Sequence, residues 1–217
     1  VRQQGIPHGN SSTYKSYSHN LFFGEPDHGY NVNVYRAGAN YAHYFDNWTY
    51  KQNFAVTKTD TQGDAVLAVS NTTLPTIKRA VNNQDKQDIN YTLDSNLQCN
   101  FNFGGVNYNV MVGLDMMKER SDYYRRTDTI NSFNADHPNY GITSVKLGTP
   151  TQELTYSQYA GLYLRNTIKI DDNWIIGLSG RHDWTQVEID NVLKNTTTQN
   201  SDQAFTGSTS VMYRIND

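Results

Sequence analysis

Between residues 117 and 157 the chain carries Tyr123-Tyr124-Arg125-Arg126, then Phe133, Tyr140 and Tyr156. Aromatic rings stack on bulky ligands, and guanidinium groups donate charge-assisted hydrogen bonds to oxygen atoms. This combination suits recognition of a large, oxygen-rich ligand. The same residues would equally stabilise the segment that holds them, or rim an interface. A second set, Asp115, Arg181 and Asp183, sits on the polar side of alternating segments. It reads as a charge network on an inner wall, with a gating contact as the alternative. Covalent chemistry finds no support. His8, His19, His28, His43, His137 and His182 show no metal-ligand spacing such as H-E-x-x-H. No G-x-S-x-G elbow occurs. The single cysteine, Cys99, excludes an internal disulfide framework and a cysteine zinc site. Gly104-Gly105 is a turn, not a phosphate loop. No enzymatic activity, cofactor or protein-bound metal is expected.

The elements that position these residues are strands. Residues 89–103 read I-N-Y-T-L-D-S-N-L-Q-C-N-F-N-F, apolar or small at odd positions and amide-rich at even ones. A period of two is that of a β-strand. Six further segments alternate in the same way: Val32–Phe45, Trp48–Thr57, Tyr108–Met116, Gln158–Ile170, Trp174–Trp184 and Phe205–Ile215. Phe45-Asp46-Asn47-Trp48, Gly104-Gly105 and Asp171-Asp172-Asn173 have the composition and length of hairpin turns. The alternate connections, 58–88, 117–157 and 187–203, read as long loops. Short turns and long loops therefore alternate.

That rhythm predicts an all-β, antiparallel, membrane-spanning barrel wall. Short turns would lie on one side of the membrane and long loops on the other. Phe45, Trp48, Phe103, Tyr108, Trp174 and Tyr213 cluster at the short-turn ends, where an aromatic girdle belongs. No run approaches the length of an apolar spanning helix. A net charge of -3 on 217 residues suggests no nucleic-acid partner. About seven strands are expected. An odd count leaves open edges, so the chain is expected to be one part of a wider barrel. A soluble β-sandwich binding module and a passive porin-like barrel remain alternatives.

Several ordered segments resemble the barrel of TonB-dependent siderophore receptors, especially the ferrichrome and other hydroxamate types. Gly24-Glu25-Pro26-Asp27 looks like the family's G-E-P before a strand. His43-Tyr44-Phe45-Asp46-Asn47-Trp48-Thr49, followed by Gln52-Asn53, is similar to its H-x-F-x-D-x-W-T-x-x-Q-N hairpin. Gly113-Leu114-Asp115 with Lys118-Glu119-Arg120 and Asp122-Tyr123 resembles G-x-D-Y-x-R. His137-Pro138-Asn139-Tyr140-Gly141 resembles N-P-x-Y-G. Tyr159-Ala160-Gly161-Leu162-Tyr163, Lys169, Asp171 and Trp174 look like the next strand pair, and Gly180-Arg181-His182-Asp183-Trp184 like G-G-R-Y-D-W. Arg165-Asn166-Thr167 stands where the family has Q-D-Q, and Ser179 replaces the first glycine of G-G-R-Y-D.

The resemblance implies a 22-stranded, plugged barrel in the outer membrane of a Gram-negative cell, among outer-membrane lipid and lipopolysaccharide. Residues 1–217 would be part of the barrel domain, without plug or TonB box. It also implies active transport of a ferric siderophore, with iron held by the siderophore and not by side chains. The energy would come from the TonB–ExbB–ExbD complex, acting through an N-terminal part that this sequence lacks.

Overall fold

The structure is a computed structural model, and it describes residues 21–69, 75–171 and 173–215. His8, His19 and Asp172, considered above, lie outside the described residues. The strands are β1 (Tyr30–Phe45), β2 (Trp48–Ala68), β3 (Thr76–Phe103), β4 (Val106–Asn134), the short β5 (Val145–Lys146), β6 (Thr151–Ile170), β7 (Trp174–Asn191) and β8 (Thr196–Tyr213). They form one antiparallel sheet in the order β1-β2-β3-β4-β6-β7-β8, with β5 paired to β4. The seven expected segments are its seven long strands. No second sheet covers the apolar face among the described residues, so a β-sandwich is not what this chain forms. β1 and β8 each keep one unpaired edge, which in a bilayer requires a further strand as partner.

Local chemistry fixes the turns. Phe45 pairs Trp48 across a two-residue connection in which Asp46 has φ 32°. Phe103 pairs Val106 across Gly104-Gly105, with φ 61° and 79°. Positive φ at both central residues is what a type I′ hairpin needs and what glycine supplies.

Register then decides which residues share a face. Outward rows include Phe103–Val106–Ile170–Trp174–Tyr213, Tyr50–Leu97–Val112–Leu164 and Phe54–Leu93–Met116–Ala160–Trp184. The next row, Tyr91–Lys118–Gln158–Gln186–Ser201, is largely polar. On β4 the apolar stretch runs from Val106 to Met116. Eleven residues at about 3.3 Å each, tilted about 45°, span about 25 Å, the height of a barrel's lipid-facing band. Trp174 packs at a tilt against Tyr213 (4.7 Å between centroids) and Phe101 stacks on Tyr108 (5.1 Å) at the short-turn end. The expected girdle is there.

The long connections need correction. Most of 58–88, 117–157 and 187–203 is paired strand. β3 has 28 residues and β4 has 29, against the 9–11 that a bilayer needs. β4 continues beyond Met116 for about 60 Å at about 3.3 Å per residue. Its far end carries a small core of its own. Phe23, Ile77, Phe133 and Ala135 form one cluster and Val66, Val81 and Ile130 another, with Ile142 packed against the second.

Candidate functional site

The inward face can be read row by row. Asn40, Asn53, Asp94, Asp115, Gly161 and Asp183 lie side by side across β1, β2, β3, β4, β6 and β7. The neighbouring row holds Lys51, Asn96, Gly113, Tyr163 and Arg181. Like charges placed directly opposite repel, and Asp94 faces Asp115. Hydrogen bonds offset that cost. Asp94 Oδ1 accepts from Asn53 Nδ2 (3.1 Å) and Asn96 Nδ2 (3.2 Å), and its Oδ2 from the Tyr163 hydroxyl (3.4 Å). Arg181 Nη1 donates to Asp115 Oδ2 (2.7 Å) and its Nε to Asp183 Oδ1 (2.7 Å). Tyr159 also donates to Asp183 Oδ1 (2.7 Å) and receives a bond from Arg181 Nη2.

Two glycines make this packing possible. A Cβ on Gly113 would strike the Tyr163 ring, and one on Gly161 would strike Arg181 and Asp183. The guanidinium therefore settles between two rings, 5.7 Å from Tyr159 and 5.6 Å from Tyr163, within cation–π range. Asp115, Arg181 and Asp183, picked out in the sequence, are thus brought into one network. Asp94, Tyr159 and the two glycine floors were missed as its members. The signal for them is parity within each strand combined with register, and register is not written in any single strand. The network contains three carboxylates and one guanidinium. It is a wall braced by hydrogen bonds and ion pairs. Among the described residues no cluster of His, Cys, Asp or Glu is arranged to hold a metal ion.

Above the bilayer level, the aromatic and basic cluster is divided. Tyr123 and Arg125 share the inward parity of Asp115, and Tyr124 and Arg126 lie on the other face of β4. Arg126 grips Asp128 through Nε–Oδ1 (2.8 Å) and Nη2–Oδ2 (3.0 Å). Asp128 also accepts from Asn83 Nδ2 (2.8 Å) and the Gly148 amide (2.9 Å). The guanidinium beside it, reinforced by these bonds, holds its carboxyl below the usual aspartate range. Tyr156 lies on β6 with Arg120 at 6.0 Å from its ring. Phe133 is buried in the tip core, and Tyr140 lies against it and donates to the Phe22 carbonyl (3.0 Å).

Tyr30 joins the inward face, although the sequence did not mark it. It shares a row with Gly63, Gln84 and Arg125. Its hydroxyl donates to the Asn82 carbonyl (3.0 Å) and accepts from Asn82 Nδ2 (2.8 Å), and Thr127 donates to Asn82 Oδ1 (3.2 Å). Burial pushes the phenol above its ordinary range, while the nearby Arg125 pulls it the other way. A Cβ on Gly63, where φ is 138°, would collide with the Gly29 and Tyr30 backbone. Close approach of β1 to β2 at this level therefore requires glycine.

Comparison with known proteins agrees with the geometry. The ferrioxamine receptor of Yersinia enterocolitica is 25% identical over 226 residues, covering 96% of this chain and 31% of that protein. The ferrichrome outer membrane transporter/phage receptor of Escherichia coli K12 is 25% identical over 137 residues, 59% of this chain and 18% of that protein. This chain thus spans less than a third of the curated relatives it matches. Among solved structures, the ferric-catecholate import receptor Fiu of E. coli K12 in its closed form superposes with a TM-score of 0.74 at 17% identity, over 100% of this chain and 36% of that one. The siderophore receptor PiuA of Acinetobacter baumannii gives 0.72 at 17%, over 96% and 34%. At such identity these two establish the fold alone. The family model described as "TonB dependent receptor-like, beta-barrel" matches residues 2–217. With its apolar outer band, braced polar inner face and strands continuing past the bilayer, the chain belongs to the outer-membrane TonB-dependent receptor β-barrel family.

Proposed function

We propose that this chain forms part of the barrel of a receptor that actively imports a ferric siderophore across the outer membrane. The observation that carries this reading is the continuity of the inward face. It rises from the braced charges around Arg181 to Tyr123, Arg125 and Tyr30 on strands that extend beyond the bilayer. A ligand entering from outside would meet phenols and a guanidinium before it met the charged belt. Phenol and guanidinium groups suit the oxygen-rich periphery of a ferric chelate. Iron stays within the siderophore and no side chain of the receptor ligates it. Of the aromatic and basic set, Tyr123 and Arg125 are the direct wall contacts. Tyr124, Arg126 and Tyr156 support the same wall from its other face. Phe133 and Tyr140 belong to the tip above it. Release inward would be driven by TonB–ExbB–ExbD through a plug packed against the Asp94–Asp115–Asp183 wall.

The outward face meets outer-membrane lipid and lipopolysaccharide. A cavity of about 850 Å³ lies where the apolar band ends, with Phe54, Leu93, Met116 and Trp184 on one side and Lys118 and Gln186 on the other. Asp202 lines it too and balances Lys118, so an apolar wall beside a polar one suits an amphiphile without selecting its charge.

The test is equilibrium binding of a ferric trihydroxamate to the purified full-length receptor in detergent, followed by intrinsic fluorescence. Saturable quenching that weakens about tenfold in Tyr123→Ala and Arg125→Gln supports the reading. Equal affinity in both variants contradicts the placement of the site. A passive porin-like barrel shares the polar inner face, and it would show no saturable binding.

A further inference from the structure

The far end of β3 and β4 holds the most deeply buried ion pair in the described chain. Glu25 and Arg79 have side chains 5% and 0% exposed, and Arg79 Nη1 meets Glu25 Oε1 at 2.7 Å. Glu25 Oε2 accepts from the Gly141 amide at 2.8 Å. Arg79 Nε donates to the Asn131 carbonyl at 3.2 Å, and its guanidinium lies 5.2 Å from the Phe133 ring centroid. Among the described residues Arg79 Nη2 has no acceptor. Around the pair, Phe23 meets Phe133 edge-on at 5.9 Å, and the Asn131 side chain bonds Gly141 and Thr143.

These partners are far apart in the chain. Glu25 precedes β1, Arg79 opens β3, Asn131 and Phe133 close β4, and Gly141 lies in the connection after it. β2 intervenes in sequence and contributes Val66 and Ala68 to the two tip clusters. Removing either charge would strand the other in an apolar site, which is far more costly than losing an exposed pair.

We propose that Glu25 and Arg79 form a latch that clamps the 21–29 segment to the β3–β4 tip, so that these pieces and the 135–148 connection open and close as one cooperative unit, separate from the membrane-level strands. Closed, the unit buries Phe133 and anchors Tyr140; open, it frees both rings. The inference holds whatever ligand the receptor takes.

Hydrogen exchange on the full-length receptor in detergent tests this, first in the unaltered protein. The hydrogen-bonded amides of His28, Ala135, Gly141 and Thr143, with the paired amides of 76–81, are expected to share one opening rate, and the amides of Leu93–Met116 to exchange at least a hundredfold more slowly. Separate opening rates for the His28 amide and for the Gly141 and Thr143 amides would overturn the latch. In Glu25→Gln, which keeps an acceptor for Gly141 but removes the charge, exchange at these tip amides should rise at least tenfold while Leu93–Met116 is unchanged. Unchanged exchange at the tip would overturn the proposal, as would loosening throughout the membrane strands or failure of the variant to assemble, because each makes the pair something other than a local latch.

Discussion

Asp94 and Asp115 face each other in direct register across β3 and β4, and the cation that answers Asp115 comes from Arg181, which is not on either strand but on β7. The inward wall is therefore braced by one guanidinium that pairs with Asp183 on its own strand and reaches over Gly161 to Asp115 on β4.

Arg181→Gln should destabilise the assembled barrel. Loss of one partner of a fully buried pair costs about 3–5 kcal/mol. The Arg181 and Asp115 side chains are each 29% exposed, so about 1–2 kcal/mol is expected after allowance for solvent screening. The midpoint of urea unfolding, followed by loss of heat-modifiable mobility, should fall, and Arg181→Lys should recover part of the loss.

Gly113→Val tests the floor beneath Tyr163. A side chain there must displace the ring and its bond to Asp94, at a cost of about 1–3 kcal/mol for an overpacked site. Gly105→Ala is the comparison, since nothing lies near its Cβ although its φ is 79°. The strain in Gly105→Ala should show in hairpin assembly and leave the Tyr163–Asp94 contact intact. Ring-proton chemical shifts of Tyr163 separate the two effects.

Acid should loosen the outer tip through Asp128. Its folded-state pKa lies below the unfolded value of about 3.9, so its contribution is complete above that value and is lost as pH falls through the folded pKa. Amides of 126–130 and Gly148 should keep their protection down to about pH 4 and lose it below. Asp128→Asn should flatten that profile. A profile in Asp128→Asn identical to the unaltered protein's would assign the transition to another group.

The spanning parts were legible because a bilayer imposes contrast. From Leu93 to Phe103 lipid faces one side and polar surface the other, so alternation is strict. Beyond the bilayer both faces are wet. Asn82-Asn83-Gln84-Asp85-Lys86-Gln87-Asp88 shows no period, yet every one of these residues pairs with β2 and β4. Hydrogen bonding of the ladder continues where the hydropathy signal stops, and these stretches therefore read as loops. The site suffered similarly. Tyr123 to Arg126 look like one cluster in sequence, but a period of two sends alternate members to opposite faces. Contacts such as Glu25–Arg79 depend on three-dimensional register and leave no local trace.

The proposed ligand wall can be probed at Tyr30. Tyr30→Phe keeps the ring and removes the hydroxyl that binds Asn82. Ferric trihydroxamate affinity should drop about threefold, less than the tenfold expected for Arg125→Gln, because the ring survives and only its anchoring is lost. Titration by fluorescence quenching of the full-length receptor reads both. A larger loss in Tyr30→Phe than in Arg125→Gln would mean that the hydroxyl itself contacts the ligand.

The most direct test of energised siderophore import is accumulation of iron-labelled ferric trihydroxamate by cells carrying the full-length receptor, with and without TonB. Energised import predicts accumulation that requires TonB and falls strongly in Arg125→Gln. Equal uptake in the two strains, insensitive to Arg125, would contradict it and leave a passive pore.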